Sequence, residues 1–137
     1  MAYWLMKSEP DVYPWSKLVA DKRGSWDGVR NHLAKLHLKA MKNGDRAFFY
    51  HSNIGKEIVG TMEIVREAYR DLSAEKGEWF MVDVAPLAAA KTPLGLADIK
   101  AIPDLAEMAL LKMSRLSVQP VRATEWKFIC KRLGVAA

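Results

Sequence analysis

Cysteine is nearly absent: Cys130 stands alone in 137 residues, which excludes an intramolecular disulfide and any multi-cysteine metal site. Its place in an amphipathic stretch near the C-terminus marks it as a small core residue. Long apolar runs are missing as well. No stretch approaches the ~20 residues that a membrane helix needs. The opening Met1-Ala2-Tyr3-Trp4-Leu5-Met6 reaches Lys7 and Glu9 too soon for a signal peptide, so the expected compartment is the cytoplasm. Catalytic signatures are equally scarce. His32, His37 and His51 are the only histidines, and no His-Glu-x-x-His pattern joins them. Ser8 and Ser52 lie outside any nucleophile-elbow sequence, and neither a Gly-x-Gly-x-x-Gly run nor a phosphate loop occurs. These absences point to a binding protein without catalytic residues, metal or cofactor.

What the chain does contain is an ordinary globular composition, half apolar and 27% charged, which argues against disorder. Lys and Arg number 21 against 16 Asp and Glu, giving +5, a balance that favours polyanionic partners. No charge block, repeat or linker divides it, so residues 1–137 read as one domain.

The pattern predicts a strand over Tyr3 to Lys7, stopped by Pro10, and a short helix opened by Pro14 and running to Ala20. Lys22 to Ser25 reads as a loop. Asn31 fits a helix cap, followed by Leu33, Ala34, Leu38 and Met41 as an apolar face. A strand through Ala47 to Tyr50 comes next, then another from about Ile58 to Val65, where Gly60 marks a bulge or close approach. Residues 79–85 alternate as a strand, with Phe80, Val82 and Val84 on one face. The connection between Pro86 and Pro93 fits strand or loop. Short helices are expected near Leu96–Lys100 and Leu105–Leu111, a strand over Leu116–Val121, and a final helix to Leu133 capped by Thr124. Strands with dispersed helices make an α+β domain built on a strongly curved or barrel-like sheet.

The chemistry concentrates in Trp26-Asp27-Gly28-Val29-Arg30-Asn31, where a large aromatic, a turn and two planar hydrogen-bonding side chains adjoin. Reading an extruded base requires an aromatic platform, a hydrogen-bonding edge and a phosphate grip. Trp15, Trp26 and Tyr50 are platform candidates, although aromatics in this number also fill cores. Ser8, Glu9 and Asn31 are edge candidates; Glu9 suits an exocyclic amino group such as cytosine N4. Asn31 serves equally as a helix cap, and Glu9 as a plain surface carboxylate. For phosphate, Lys35, Lys39 and Lys42 recur at helical spacing, Lys7 and Arg30 lie near the motif, and Arg115 and Arg122 flank the late strand. A lysine stripe is also what a solvated helix face looks like.

Four segments carry a family pattern. Tyr3-Trp4-Leu5-Met6-Lys7-Ser8-Glu9-Pro10, the Trp26–Asn31 motif, Gly44 through Ser52 and Ser114 through Val121 resemble, in order, the EVE domain. The resemblance is to a bacterial-type, single-domain member and covers nearly the whole chain. It implies a PUA-like fold, a curved, barrel-like mixed sheet with peripheral helices, related to YTH and ASCH domains. It also implies a pocket for a modified base, above all a modified cytosine in DNA, with RNA binding or chemistry on a modified base, through Glu9 or His51, as alternatives. Carried over by position, the pocket residues are Lys7, Ser8 and Glu9; Trp26, Arg30 and Asn31; Tyr50, His51 and Ser52; and Ser117, Gln119 and Pro120. The second motif departs from the family after Asn31. Where members often carry a tyrosine, a glutamine, an arginine and an asparagine, this chain has His32, Leu33, Lys35 and Leu36.

Overall fold

The computed structural model describes residues 1–137. Its frame is one six-stranded mixed sheet. In chain order the elements are β1 (Tyr3–Ser8), α1 (Trp15–Asp21), β2 (Gly24–Ser25), α2 (His32–Ala40), β3 (Arg46–His51), β4 (Glu57–Arg70) and β5 (Phe80–Gly95). Then come α3 (Leu96–Lys100), a single tight 3-10 turn at Pro103–Leu105, α4 (Ala109–Lys112), β6 (Val118–Val121) and α5 (Ala123–Leu133). The strand order is β2-β5-β4-β3-β1-β6. β1 runs parallel to β3, and every other neighbouring pair is antiparallel. The arrangement is α+β, as expected.

Period-two alternation sends side chains into two cores, one on each face of the sheet. Trp4, Met6, Ala47, Phe49, Val82 and Val84 bury one face beneath α1 and α2, which contribute Leu18, Ala34 and Leu38. Leu5, Phe48 and Tyr50 bury the other against α5, which contributes Trp126, Ile129, Cys130 and Leu133. Trp126 stacks on Phe48 with ring centroids 4.1 Å apart and on Tyr3 at 4.7 Å. Trp4 and Cys130 are core residues, as the sequence indicates. No helix is long and apolar enough to cross a membrane.

Several local expectations are corrected. Gly24–Ser25 is not simply loop: it pairs with Val84 and Asp83 of β5. Residues 86–93 are strand, because β4 continues far enough to pair with them. Leu33 is 37% exposed, and the buried face of α2 is Ala34 and Leu38, with Met41 just beyond the helix. The expected Leu105–Leu111 helix is not continuous: Leu105 closes the tight turn that Pro103 opens, and α4 begins only at Ala109. β6 begins at Val118 rather than Leu116. The last helix is capped at Arg122, not Thr124: Glu125 accepts a hydrogen bond from the Arg122 backbone N–H at 2.9 Å.

Gly60 is the close approach that the sequence marks. A Cβ placed there would lie 2.6 Å from the Trp15 ring, which packs edge-on against Phe49. Replacing a strand glycine by alanine ordinarily gains about 0.4–1 kcal/mol of chain entropy where the backbone permits it. Here overpacking, at about 1–3 kcal/mol, outweighs that gain. Gly60→Ala is therefore expected to lower the urea midpoint; an unchanged or raised midpoint contradicts the packing of Trp15.

Candidate functional site

The site forms where β1 and β3 end side by side. Their parallel register sets Lys7 beside Tyr50 and Ser8 beside His51, so two motifs distant in sequence share one rim. Beyond Ser8 the chain turns sharply: Glu9 O accepts from Val12 and Tyr13 N–H at 2.9 Å each, and Ser8 Oγ donates to Tyr13 O at 2.6 Å. Across the gap, Trp26 leaves β2 with its N–H held by Val82 O at 2.8 Å. A cleft of about 390 Å³ lies between these segments. Lys7, Ser8 and Glu9 form one wall, Val12 and Tyr13 a second, and Ser25 through Gly28 a third. Trp26 is only 6% exposed and meets Phe49 edge-on at 5.3 Å, which fixes its ring.

The Trp26–Asn31 motif is held from outside the cleft by one carboxylate. Gly28, at φ 78°, donates its N–H to Asp71 Oδ2 at 2.9 Å, and Arg30 Nη1 reaches the same oxygen at 3.0 Å. Ser73 supplies its N–H at 2.9 Å and its hydroxyl at 2.5 Å to Oδ1. Arg30 also donates to Val29 O at 2.9 Å and to Ser73 Oγ at 3.2 Å. Burial alone would raise the Asp71 pKa. The hydrogen bonds from Ser73, Gly28 and Arg30 outweigh burial and bring it down to about 2. Asn31 caps α2, its Oδ1 accepting from Ala34 N–H at 2.9 Å. Arg30 and Asn31 thus shape the motif and do not line the cleft.

A second cleft of about 510 Å³ adjoins the first, and Lys7 and Glu9 border both. It gathers Tyr50, Ser52, Ser117 and Arg115 from the sequence candidates. Burial lowers the Lys7 pKa and raises that of Tyr50. The remaining candidates are spent elsewhere. Trp15 packs on Gly60, and its backbone N–H donates to His51 Nε2 at 3.1 Å, the acceptor face of a neutral imidazole whose pKa burial lowers. Gln119 is buried and donates to Met113 O and Leu116 O at 2.9 and 2.8 Å. Pro120 sits across from Trp4 on the sheet edge, and Arg122 pairs with Glu125 at 2.9 Å. Lys35 lies 4.9 Å from the Trp79 ring and donates to Glu78 O at 2.9 Å, and Lys39 lies 4.9 Å from the Phe80 ring. Lys42 sits just past the end of α2, away from both clefts.

The EVE domain family model matches residues 2–132. This chain belongs to the EVE domain family. Human thymocyte nuclear protein 1 is 35% identical, over 93% of this chain and 72% of its own length. The solution structure of Rpa0253 from Rhodopseudomonas palustris shares 57% identity, with a TM-score of 0.92 over 98% of this chain and 94% of that one. Human THYN1, solved in complex with 5-methylcytosine-containing DNA, superposes at a TM-score of 0.89 with 33% identity, covering all of both chains. A YTH domain of Zygosaccharomyces rouxii MRB1, at 16% identity and a TM-score of 0.64, shares the fold.

Sequence reasoning missed several residues that line the clefts of this EVE domain. Tyr13 is one of five aromatics in the first 26 residues, and Asp27 and Gly28 lie inside the Trp26–Asn31 motif. Asn53 and Lys56 carried no local signal; only the β3–β4 turn brings them to the second cleft. Asp71 was silent too, since the partners that tie it to the motif, Gly28 and Arg30, lie some forty residues earlier.

Asp71 has a pH signature. Its folded pKa lies below the ordinary 3.8, so its ionised form stabilises the fold above about pH 4, and that contribution disappears as the pH falls toward 2. At about 1.4 kcal/mol per pKa unit the contribution is about 2 kcal/mol. Asp71→Asn should therefore be clearly less stable than the parent at pH 7, with the gap in urea midpoint narrowing between pH 4 and 2. A gap that stays constant over that range contradicts the clamp.

Proposed function

We propose that this EVE domain is a non-catalytic reader that seats a modified base of nucleic acid, a modified cytosine in DNA, in the first cleft. The observation that carries the reading is the convergence of Trp26 with Ser8 and Glu9 around one space of a size suited to a small planar ligand. The full-length likeness to a protein solved with 5-methylcytosine-containing DNA supports the ligand class. In this reading Trp26 supplies the stacking surface, with Tyr13 as the second aromatic of the cleft. Glu9 accepts from the exocyclic amino group. Ser8 Oγ, already donating to Tyr13 O, keeps lone pairs for a donor on the base edge. Arg30 and Asn31 act as positioning residues through the Asp71 clamp and the α2 cap.

Extrusion of a nucleotide costs a few kcal/mol, and stacking on one ring returns about 1–3 kcal/mol, so the platform and the polar edge are both needed. The Nε2 lone pair of His51 is occupied by the Trp15 N–H, which favours binding over general-base chemistry at that residue. The proposed setting is the cytoplasm, since a lone cysteine has no need of an oxidising compartment.

The test is fluorescence titration with matched oligonucleotides, as DNA and as RNA, carrying cytosine, 5-methylcytosine or 5-hydroxymethylcytosine. The expected result is saturable binding that prefers one modified DNA. Trp26→Ala, checked for folding by its melting temperature, should weaken that binding by about 5- to 150-fold, the equivalent of one stacked base. Lys39→Ala should leave the preference intact. Equal losses in the two variants would sink the stacking role, and a preference for RNA of the same sequence would redirect the reading to RNA.

A further inference from the structure

The second cleft is one-sided in charge. Lys7, Lys56 and Arg115 border it, against Glu9 as its one carboxylate. Lys7 is already committed, donating to Ser114 O at 2.6 Å. Glu9 Oε1 is turned toward Asn53, whose amide donates to it at 2.8 Å. Lys56 and Arg115, in contrast, are exposed and form no ion pair. Ser52, Ser114 and Ser117 add hydroxyl donors to the lining.

The turn that carries Lys56 has an unusual backbone. Asn53, Gly55 and Lys56 have φ of 66°, 84° and 47°, so two non-glycine residues occupy the left-handed region within one short loop. Such conformations are costly and persist where the surroundings hold them, often at ligand sites. Here the loop is pinned by Asn53 to Glu9, by Ser52 N–H to Ser8 O at 2.9 Å, and by Leu96 N–H to Lys56 O at 2.8 Å. The strained turn and the wall between the two clefts are one connected structure.

We propose that the second cleft is an anion subsite that holds a backbone phosphate adjoining the base in the first cleft, with Lys56 and Arg115 as its free cations. The proposal rests on the base-reading function above. Lys56 acts as a point charge, and the Arg115 guanidinium offers a planar fork suited to two phosphate oxygens. The α2 lysines, drawn onto Trp79 and Phe80, are not part of this grip.

Binding of cytosine and 5-methylcytosine oligonucleotides is measured between 50 and 200 mM salt, for the parent, the double variant Lys56→Gln/Arg115→Gln and a control, Lys35→Gln/Lys39→Gln. Melting temperatures confirm folding; both target side chains are exposed and make no hydrogen bonds to lose. The double variant is expected to weaken both oligonucleotides by the same factor and to flatten the log Kd against log salt slope by about 2, one per lost contact. The control should keep the parent slope. A parent-like slope in Lys56→Gln/Arg115→Gln overturns the subsite and leaves the base reading standing. Equal parent affinity for the two oligonucleotides, with the slope still flattened, overturns the base reading and leaves the anion subsite standing. Failure of the parent to bind either oligonucleotide overturns both.

Discussion

The fold depends on β1 being buried on both sides while paired on both edges. Leu5 enters one core, Trp4 and Met6 the other, and β3 and β6 saturate the backbone between them. A strand so placed has no freedom of register, because a slip of one residue would exchange its two apolar faces and bring Lys7 inward. That constraint also fixes the site. β1 and β3 are parallel, so both stop at the same edge, and the loops leaving their C-terminal ends must meet there. Lys7, Ser8 and Glu9 are therefore delivered to the rim by the same alternation that fills the cores.

The opposite side of the first cleft is fixed by electrostatics instead. Asp71 is a buried carboxylate, and a buried charge is tolerable only when its oxygens are fully engaged. Gly28, Arg30 and Ser73 engage them, and in doing so they pin the turn that presents Trp26. The motif thereby gains order before any ligand arrives. In the proposed role, an aromatic already held by Phe49 and a fixed turn would lose little freedom on binding and leave more of the stacking energy for affinity. A second buried carboxylate works in parallel: Asp83 accepts from Tyr69 and Arg23, behind Ser25 at the start of the same segment.

Local pattern revealed most of this frame and little of the wiring. β1, β3 and the α2 cap at Asn31 were legible because each has a local pattern, and Gly60 stood out as a glycine within a strand although the ring it meets, Trp15, is distant in sequence. Gly24–Ser25 and the second half of β5 were not, because such strands exist by pairing with distant partners and carry no periodicity of their own. The clefts divide the same way. Ser8, Glu9 and Trp26 meet as the aromatic and polar content suggested, whereas Arg30, Asn31, His51 and Gln119 proved to be engaged by backbone groups or Asp71. Side chains that bind planar polar ligands well also bind the backbone well, and sequence does not tell the two uses apart.

Charge obeys a related logic. Lys35 and Lys39 form the regular stripe expected of a helix, yet they lie over the rings of Trp79 and Phe80, covering apolar surface with their stems. They still add to the long-range field that draws a polyanion toward the molecule. Contact is a different matter from steering, because only a cation free to exchange a counter-ion for a phosphate contributes at the interface. Periodicity marked the α2 lysines, and packing sets Lys35 and Lys39 over aromatic rings. The cations open to that exchange beside the clefts are Lys56 and Arg115, placed there by a strained turn and by the approach to β6. In the proposed function, discrimination falls to the aromatic cleft, and the shared wall of Lys7 and Glu9 joins it to the proposed grip on the backbone.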